Sequence, residues 1–195
     1  MTGSASLVVG PDGLPRCAWA GADPEYQRYH DEEWGVPLHG QRLVFEKISL
    51  EGFQAGLSWI TILRKRPAFR ERFHDFDLEA VAAMSEADVE LLLDDARIIR
   101  HRGKINAVIG NARNALQLGD DLDEILWSFA PLPRPARFEQ WSDVPAITPE
   151  STALSAHLRQ RGYRFVGPTT MYALMQSGGL VDDHLVGCWR SESAP

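Results

Sequence analysis

The sequence predicts an all-α fold. Three observations carry that prediction: apolar positions recur at spacings of three and four, cap residues and glycines punctuate those runs, and no pair of alternating apolar runs flanks a hairpin turn. At 195 residues, 44% apolar and 24% charged, the chain has the profile of one domain with a sizeable core. No stretch approaches the ~20 uninterrupted apolar residues that cross a bilayer. The opening MTGSASLVVGPDG also lacks the basic start and long apolar run of a secretory signal. A soluble, cytoplasmic protein with no membrane partner is expected.

Residues 1–14 are rich in Gly, Ser and Pro and show no period, which predicts a flexible tail before a single domain over 15–195. A first helix is read from Gln41 to about Leu50, with Leu43, Val44, Lys47 and Ile48 on a partly apolar face. Asp77 is placed to cap LEAVAAM. Ser85, with Asp88 three residues on, forms an imperfect capping box before VELLLDDA, a helix that stops before Ile98. After IIRHRG, the positions Ile105, Val108, Ile109, Ala112 and Leu116 form one helical stripe, so residues 86–118 read as helix, short turn, helix. Pro131 to Pro149 reads as an extended connection. Thr148 then caps a helix with Pro149 at its first position, Leu154 and Leu158 buried, and Gly162 just beyond its end. A last helix starts at Thr169 or Thr170 and ends at Gly178 or Gly179.

A net charge of -7 argues against nucleic acid, because phosphate binding normally shows as an excess of Lys and Arg. The distribution weakens that objection. Arg64, Lys65, Arg66, Arg70 and Arg72 fall in one short run, and Arg97, Arg100, Arg102, Lys104 and Arg113 in another, together half of the 20 basic residues. The chain can therefore present a positive face, or these runs are simply two solvated helix faces.

Three constellations carry chemistry. Cys17 and His30 near the start, with His184 and Cys188 near the end, offer two sulfurs and two imidazoles. On a helix His184 and Cys188 would share a face, and the four together would close a tetrahedral, structural Zn(II) site tying the termini. The alternative is two separate buried cysteines with incidental histidines. The second constellation mixes aromatics with acids: Tyr26, Tyr29 and Trp34 in YQRYHDEEWG, and Glu51, Gln54, Leu57 and Trp59 in LEGFQAGLSW. Gly52 and Gly56 permit a departure from helical geometry that brings Glu51 and Trp59 to one cavity, suited to a flat, electron-poor ring such as an alkylated purine. Core packing is the competing use of Trp19, Trp34 and Trp59. The third is the basic hairpin with Gly103, whose backbone N–H groups can face a phosphate at the start of the second helix.

The segments RCAWAGADPEYQRYHDEEWGVP, LEGFQAGLSWITILRKR, DARIIRHRGKINAVIGNA, LWSF and GYRFVGPTTMYALMQSGGLVDDHLVGC resemble, over about residues 16 to 189, the 3-methyladenine DNA glycosylase I (Tag) family among the helix-hairpin-helix glycosylases. The resemblance implies a helical, monofunctional enzyme that hydrolyses the N-glycosidic bond of 3-methyladenine in double-stranded alkylated DNA. It would leave an abasic site and free 3-methyladenine without cutting the strand. It maps a structural zinc onto Cys17, His30, His184 and Cys188. Glu51 becomes the catalytic, base-recognising acid, Tyr29 and Trp59 the aromatics that sandwich the base, and Trp19, Tyr26 and Trp34 further pocket-side rings. Gln54 or Leu57 fills the gap left by the extruded nucleotide, and Arg100, Arg102, Gly103 and Lys104 hold DNA. The hairpin lacks the two-glycine spacing frequent elsewhere in the superfamily, and the catalytic Asp usual there is not expected. A monomer that joins the nucleoid when bound to DNA completes the expectation, and a non-catalytic, zinc-stapled module reading distorted duplex is the rival.

Overall fold

The computed structural model describes residues 6–192, which fall into two compact units. The first comprises the chain up to Pro37, Pro131–Ala146, and the C-terminal segment from Met175. It opens with a two-stranded antiparallel hairpin, β1 (Leu7–Val9) on β2 (Pro15–Cys17), in the register Leu7 to Cys17. A 3-10 turn at Ala18–Ala20 leads to α1 (Pro24–Glu32). Asp23 starts that helix, its carboxylate accepting from the Glu25 and Tyr26 amides with Pro24 at the first position. Cys17, Leu185 and Cys188 form a small buried cluster here, with Leu7, Trp19, Phe138 and Val144 packed on it.

The second unit, Leu38–Ala130 with Ile147–Leu174, holds most of the helices. These are α2 (Gln41–Gln54), α3 (Trp59–Arg72), α4 (Leu78–Ala83), α5 (Glu86–Asp94), α6 (Arg102–Leu118), α7 (Leu122–Ser128) and α8 (Pro149–Gln160). α9 (Pro168–Ser177) begins in this unit and its residues from Met175 are counted with the first, which also holds a last short helix, α10 (Trp189–Glu192). Phe53, Phe69, Phe73 and Phe76 stack in sequence at the centre, with ring centroids 4.5 Å apart for the first pair and 5.6 Å for the last. Glu46 is buried on α2 and accepts from Arg70 of α3 at 2.8 Å, so these two helices are tied by charge as well as by the phenylalanines. Asn111 on α6 grips the Arg164 backbone at both its N–H and its carbonyl, which holds Phe165 at φ 59°. No helix among the described residues is long and apolar enough to cross a membrane.

The locally encoded expectations hold. Asp77 caps α4, Ser85 and Asp88 complete a capping box for α5, and Thr148 with Pro149 starts α8, on which Leu154 and Leu158 are buried. On α6 the stripe is right except at Leu116, which is 43% exposed. On α2 the buried face centres on Val44, Phe45 and Ile48, with Leu43 exposed. The expected tail over 1–14 and the absence of a hairpin are corrected by β1 and β2, which reverse direction through Pro11-Asp12-Gly13. There Asp12 accepts from the Leu14 amide and Gly13 adopts φ 79°. Residues 1–5 of that expected tail lie outside the described residues.

Gly179 follows α9 at φ 74°, and a Cβ there would stand 2.5 Å from the Pro37 nitrogen and the Val36 carbonyl carbon. Backbone cannot move aside as a flexible side chain can. Gly179→Ala is therefore expected to destabilise the protein by more than about 2 kcal/mol in urea unfolding. A midpoint equal to wild type would contradict this packing.

Candidate functional site

In the first unit, β2 delivers Cys17, α1 delivers His30, and the irregular segment before α10 delivers His184 and Cys188. The expected helix under His184 and Cys188 is absent. A turn at Val186–Gly187, with Gly187 at φ 81°, brings the Cys188 amide back to the Leu185 carbonyl and puts both donors on one side. All four residues are buried, and their ligand atoms lie within 4.8 Å of one another. The Cys188 sulfur is 3.5 Å from His30 Nε2 and 3.6 Å from His184 Nδ1. For a tetrahedral zinc with Zn–S ~2.3 Å and Zn–N ~2.0 Å, the sulfur-to-nitrogen edge is roughly 3.5 Å.

The outer contacts set the imidazole tautomers. His30 Nδ1 donates to Asp31 at 2.8 Å and His184 Nε2 donates to the Trp34 carbonyl at 3.2 Å, so the remaining lone pairs both face Cys188. Burial alone would raise the Asp31 carboxyl. Hydrogen bonds from Arg16, His30 and Trp189 outweigh it and hold the carboxylate below its ordinary range. The neighbouring Cys188 sulfur and burial push the Cys17 thiol up, whereas Cys17, His184 and His30 hold Cys188 down. Two buried sulfurs facing two oriented lone pairs fit a dication.

Of the expected base-pocket rings, Trp19 and Trp34 pack on this cluster. Trp19 lies 5.2 Å from His30 and 5.0 Å from Trp34, and Trp34 meets His184 edge-on at 4.7 Å. Tyr26 is 5.1 Å from Trp19 and stacks on buried Tyr29 at 6.4 Å.

In the second unit, Glu51 sits in the last turn of α2 and is 3% exposed. Gly52 stays helical, and its missing side chain admits Phe165, whose Cβ would meet an added Cβ at 3.3 Å. The chain turns afterwards, at Ala55–Ser58, with Gly56 at φ 84°. α3 then starts at Trp59. This turn replaces the angular separation of about 80° that a continuous helix would impose on Glu51 and Trp59. Both now lie against the Lys47 ammonium, 3.9 Å from Glu51 Oε1 and 4.2 Å from the Trp59 ring centroid. Sequence reading placed Lys47 only on a helix face; its i,i+4 relation to Glu51 was the available signal. Leu57 stands on the turn, 39% exposed, and Gln54 Nε2 donates to its carbonyl.

The basic residues of the hairpin differ in their partners. Lys104 is 8% exposed, and its ammonium donates to the Phe53 and Ala55 carbonyls, so it caps the C-terminal end of α2; burial lowers its pKa. Arg102 is held by Glu86 and Glu90, Arg97 by Glu71 and Asp95, and Arg72 by Asp95. Arg100 is exposed and makes no hydrogen bond or ion pair among the described residues. His101 caps α6 by accepting from the Lys104 amide, and Gly103 leaves room for its ring, which an added Cβ would approach to 3.1 Å.

The methyladenine glycosylase family matches over residues 19–191. DNA-3-methyladenine glycosylase 1 of Escherichia coli (strain K12) is 52% identical over 179 residues, 90% of this chain and 96% of that protein. A crystal structure of 3-methyladenine DNA glycosylase I superposes with a TM-score of 0.85 at 50% identity, covering 89% of this chain and 98% of the other. The Staphylococcus aureus 3-methyladenine DNA glycosylase I, solved for the structural basis of 3-methyladenine recognition, gives a TM-score of 0.84 at 36% identity, covering 89% and 95%.

Removing the Lys104 ammonium leaves two carbonyls at the end of α2 without their donor. Lys104→Met is expected to lower the unfolding free energy by about 1–3 kcal/mol in urea. Unchanged stability would show that the contact is dispensable.

Proposed function

Since the chain belongs to the methyladenine glycosylase family, we propose that it hydrolyses the N-glycosidic bond of 3-methyladenine in alkylated DNA, releasing the base and leaving an abasic site. The observation that carries this reading at the level of residues is the buried Glu51 carboxylate, set with Trp59 around one cation. An aromatic face and a carboxylate both attract an electron-poor, positively charged ring and discriminate against a neutral one.

Alkylation at N3 makes the base cationic in DNA and a good leaving group. The electron pair of the glycosidic bond departs with the base, positive charge grows on the sugar, and water adds at C1′. The protein's work is to extrude the nucleotide, at a cost of a few kcal/mol that a weakened pair reduces, and to hold the base. Glu51 accepts from the N–H edge of the base. Trp59 supplies a stacking face. Leu57, exposed on the α2–α3 turn, fills the vacated stack, with Gln54 bracing that turn. Arg100 meets phosphate directly, whereas Lys104 and Gly103 shape the hairpin. Trp19 and Trp34 serve the Cys/His cluster.

Cys17, His30, His184 and Cys188 would hold one structural Zn(II), joining the two ends of the chain. With four protein ligands such an ion would supply cohesion and no activated water. The enzyme works as a monomer on duplex DNA in the cytoplasm.

Two measurements test these assignments. Glu51→Gln and Trp59→Ala are each expected to slow single-turnover release of 3-methyladenine from methylated duplex by at least tenfold while leaving the circular dichroism spectrum as in wild type. Undiminished release by both variants would remove the site. Metal analysis is expected to find about one zinc per chain, lost in Cys188→Ser together with thermal stability; a wild-type protein purified without zinc and equally stable would refute the metal assignment.

A further inference from the structure

Lys47 stands where a ligand is expected to be recognised. Its ammonium is 3.9 Å from Glu51 Oε1 and 4.2 Å from the centre of the Trp59 ring, and the side chains of the ion pair are only 12% and 4% exposed. The cause is geometric: α2 sets Lys47 one turn before Glu51, and the Ala55–Ser58 turn brings the first residue of α3 onto the same ammonium. A primary ammonium and an alkylated purine cation are attracted by the same two features, a π face and a carboxylate. A flat base stacked on that face of Trp59 and the Lys47 ammonium cannot occupy it together.

We propose that Lys47 is a specificity-determining residue of the base site, its ammonium holding the place between Glu51 and Trp59 that an incoming base must take. The inference rests on the assignment of Glu51 and Trp59 to base recognition. A neutral base displaces the ammonium from the indole and leaves it free to stay near Glu51. A cationic base competes for both partners and is also repelled by the displaced charge. Lys47 therefore lowers the preference for cationic ligands that Glu51 and Trp59 would otherwise impose. In the reaction the base is cationic in DNA and neutral once released, so the penalty falls on the bound substrate base and is relieved as the bond breaks.

The test uses two probes, 3-methyladenine at a pH where it is neutral and 3,9-dimethyladenine, a fixed cation with a methyl group in place of the sugar. Their dissociation constants are measured by tryptophan fluorescence for wild type, Lys47→Met, Lys47→Arg and Glu51→Gln. Lys47→Met is expected to raise the affinity for the cation relative to the neutral base by at least tenfold, and Lys47→Arg to keep the wild-type ratio. A merely structural role would move both affinities together, and an unchanged ratio in Lys47→Met overturns the proposal. If the Met variant does not fold, Lys47→Gln supplies the uncharged side chain. Glu51→Gln separates the two claims: if it leaves both affinities at wild-type values, the base-site assignment itself fails.

Discussion

A carboxylate buried to the degree of Glu51 needs a positive partner, because an unpaired charge in that environment costs several kcal/mol. The end of α2 is organised around that need. The helix carries its own counterion in Lys47, the Gly56 turn returns the chain as α3, and Trp59 caps the pair with an indole face. The same stretch depends on Lys104, reaching from α6 to the carbonyls that α2 leaves open. One lysine answers a side-chain charge and another answers backbone dipoles, and together they fix the segment that bears Glu51, Gln54, Leu57 and Trp59.

The Cys/His cluster of the first unit solves a different problem. Residues from both ends of the sequence converge on one buried point, where two sulfurs and two imidazoles meet inside a shell of Leu7, Trp19, Phe138, Val144 and Leu185. Asp31 and the Trp34 carbonyl orient the rings, and Arg16 holds Asp31 with two of its nitrogens. This outer layer fixes the orientation of the two rings toward the sulfurs.

Legibility in the sequence followed the range of the interaction involved. Caps at Asp77, Ser85 and Thr148 were readable because a cap is decided within four residues. The four metal-type donors were readable as residue types, but not the turn at Gly187 that presents His184 and Cys188. β1 and β2 were missed since three-residue strands carry too few alternations to register as a pattern. The contact of Lys104 with the end of α2 was not legible, because a lysine in a basic run gives no local sign that it reaches a carbonyl 49 residues earlier in the chain. Lys47 escaped notice for a related reason: its contact with Glu51 is local, whereas its contact with Trp59 exists only once the intervening turn has formed.

The relation between Glu51, Trp59 and a damaged base is the claim on which the functional reading stands, and chemical-shift titration with free 3-methyladenine addresses it without DNA, metal or turnover. The account predicts saturable shifts in the Trp59 indole N–H and the Glu51 side-chain carboxyl carbon with a common dissociation constant. Resonances at both positions that stay fixed while the base saturates another part of the protein would contradict it.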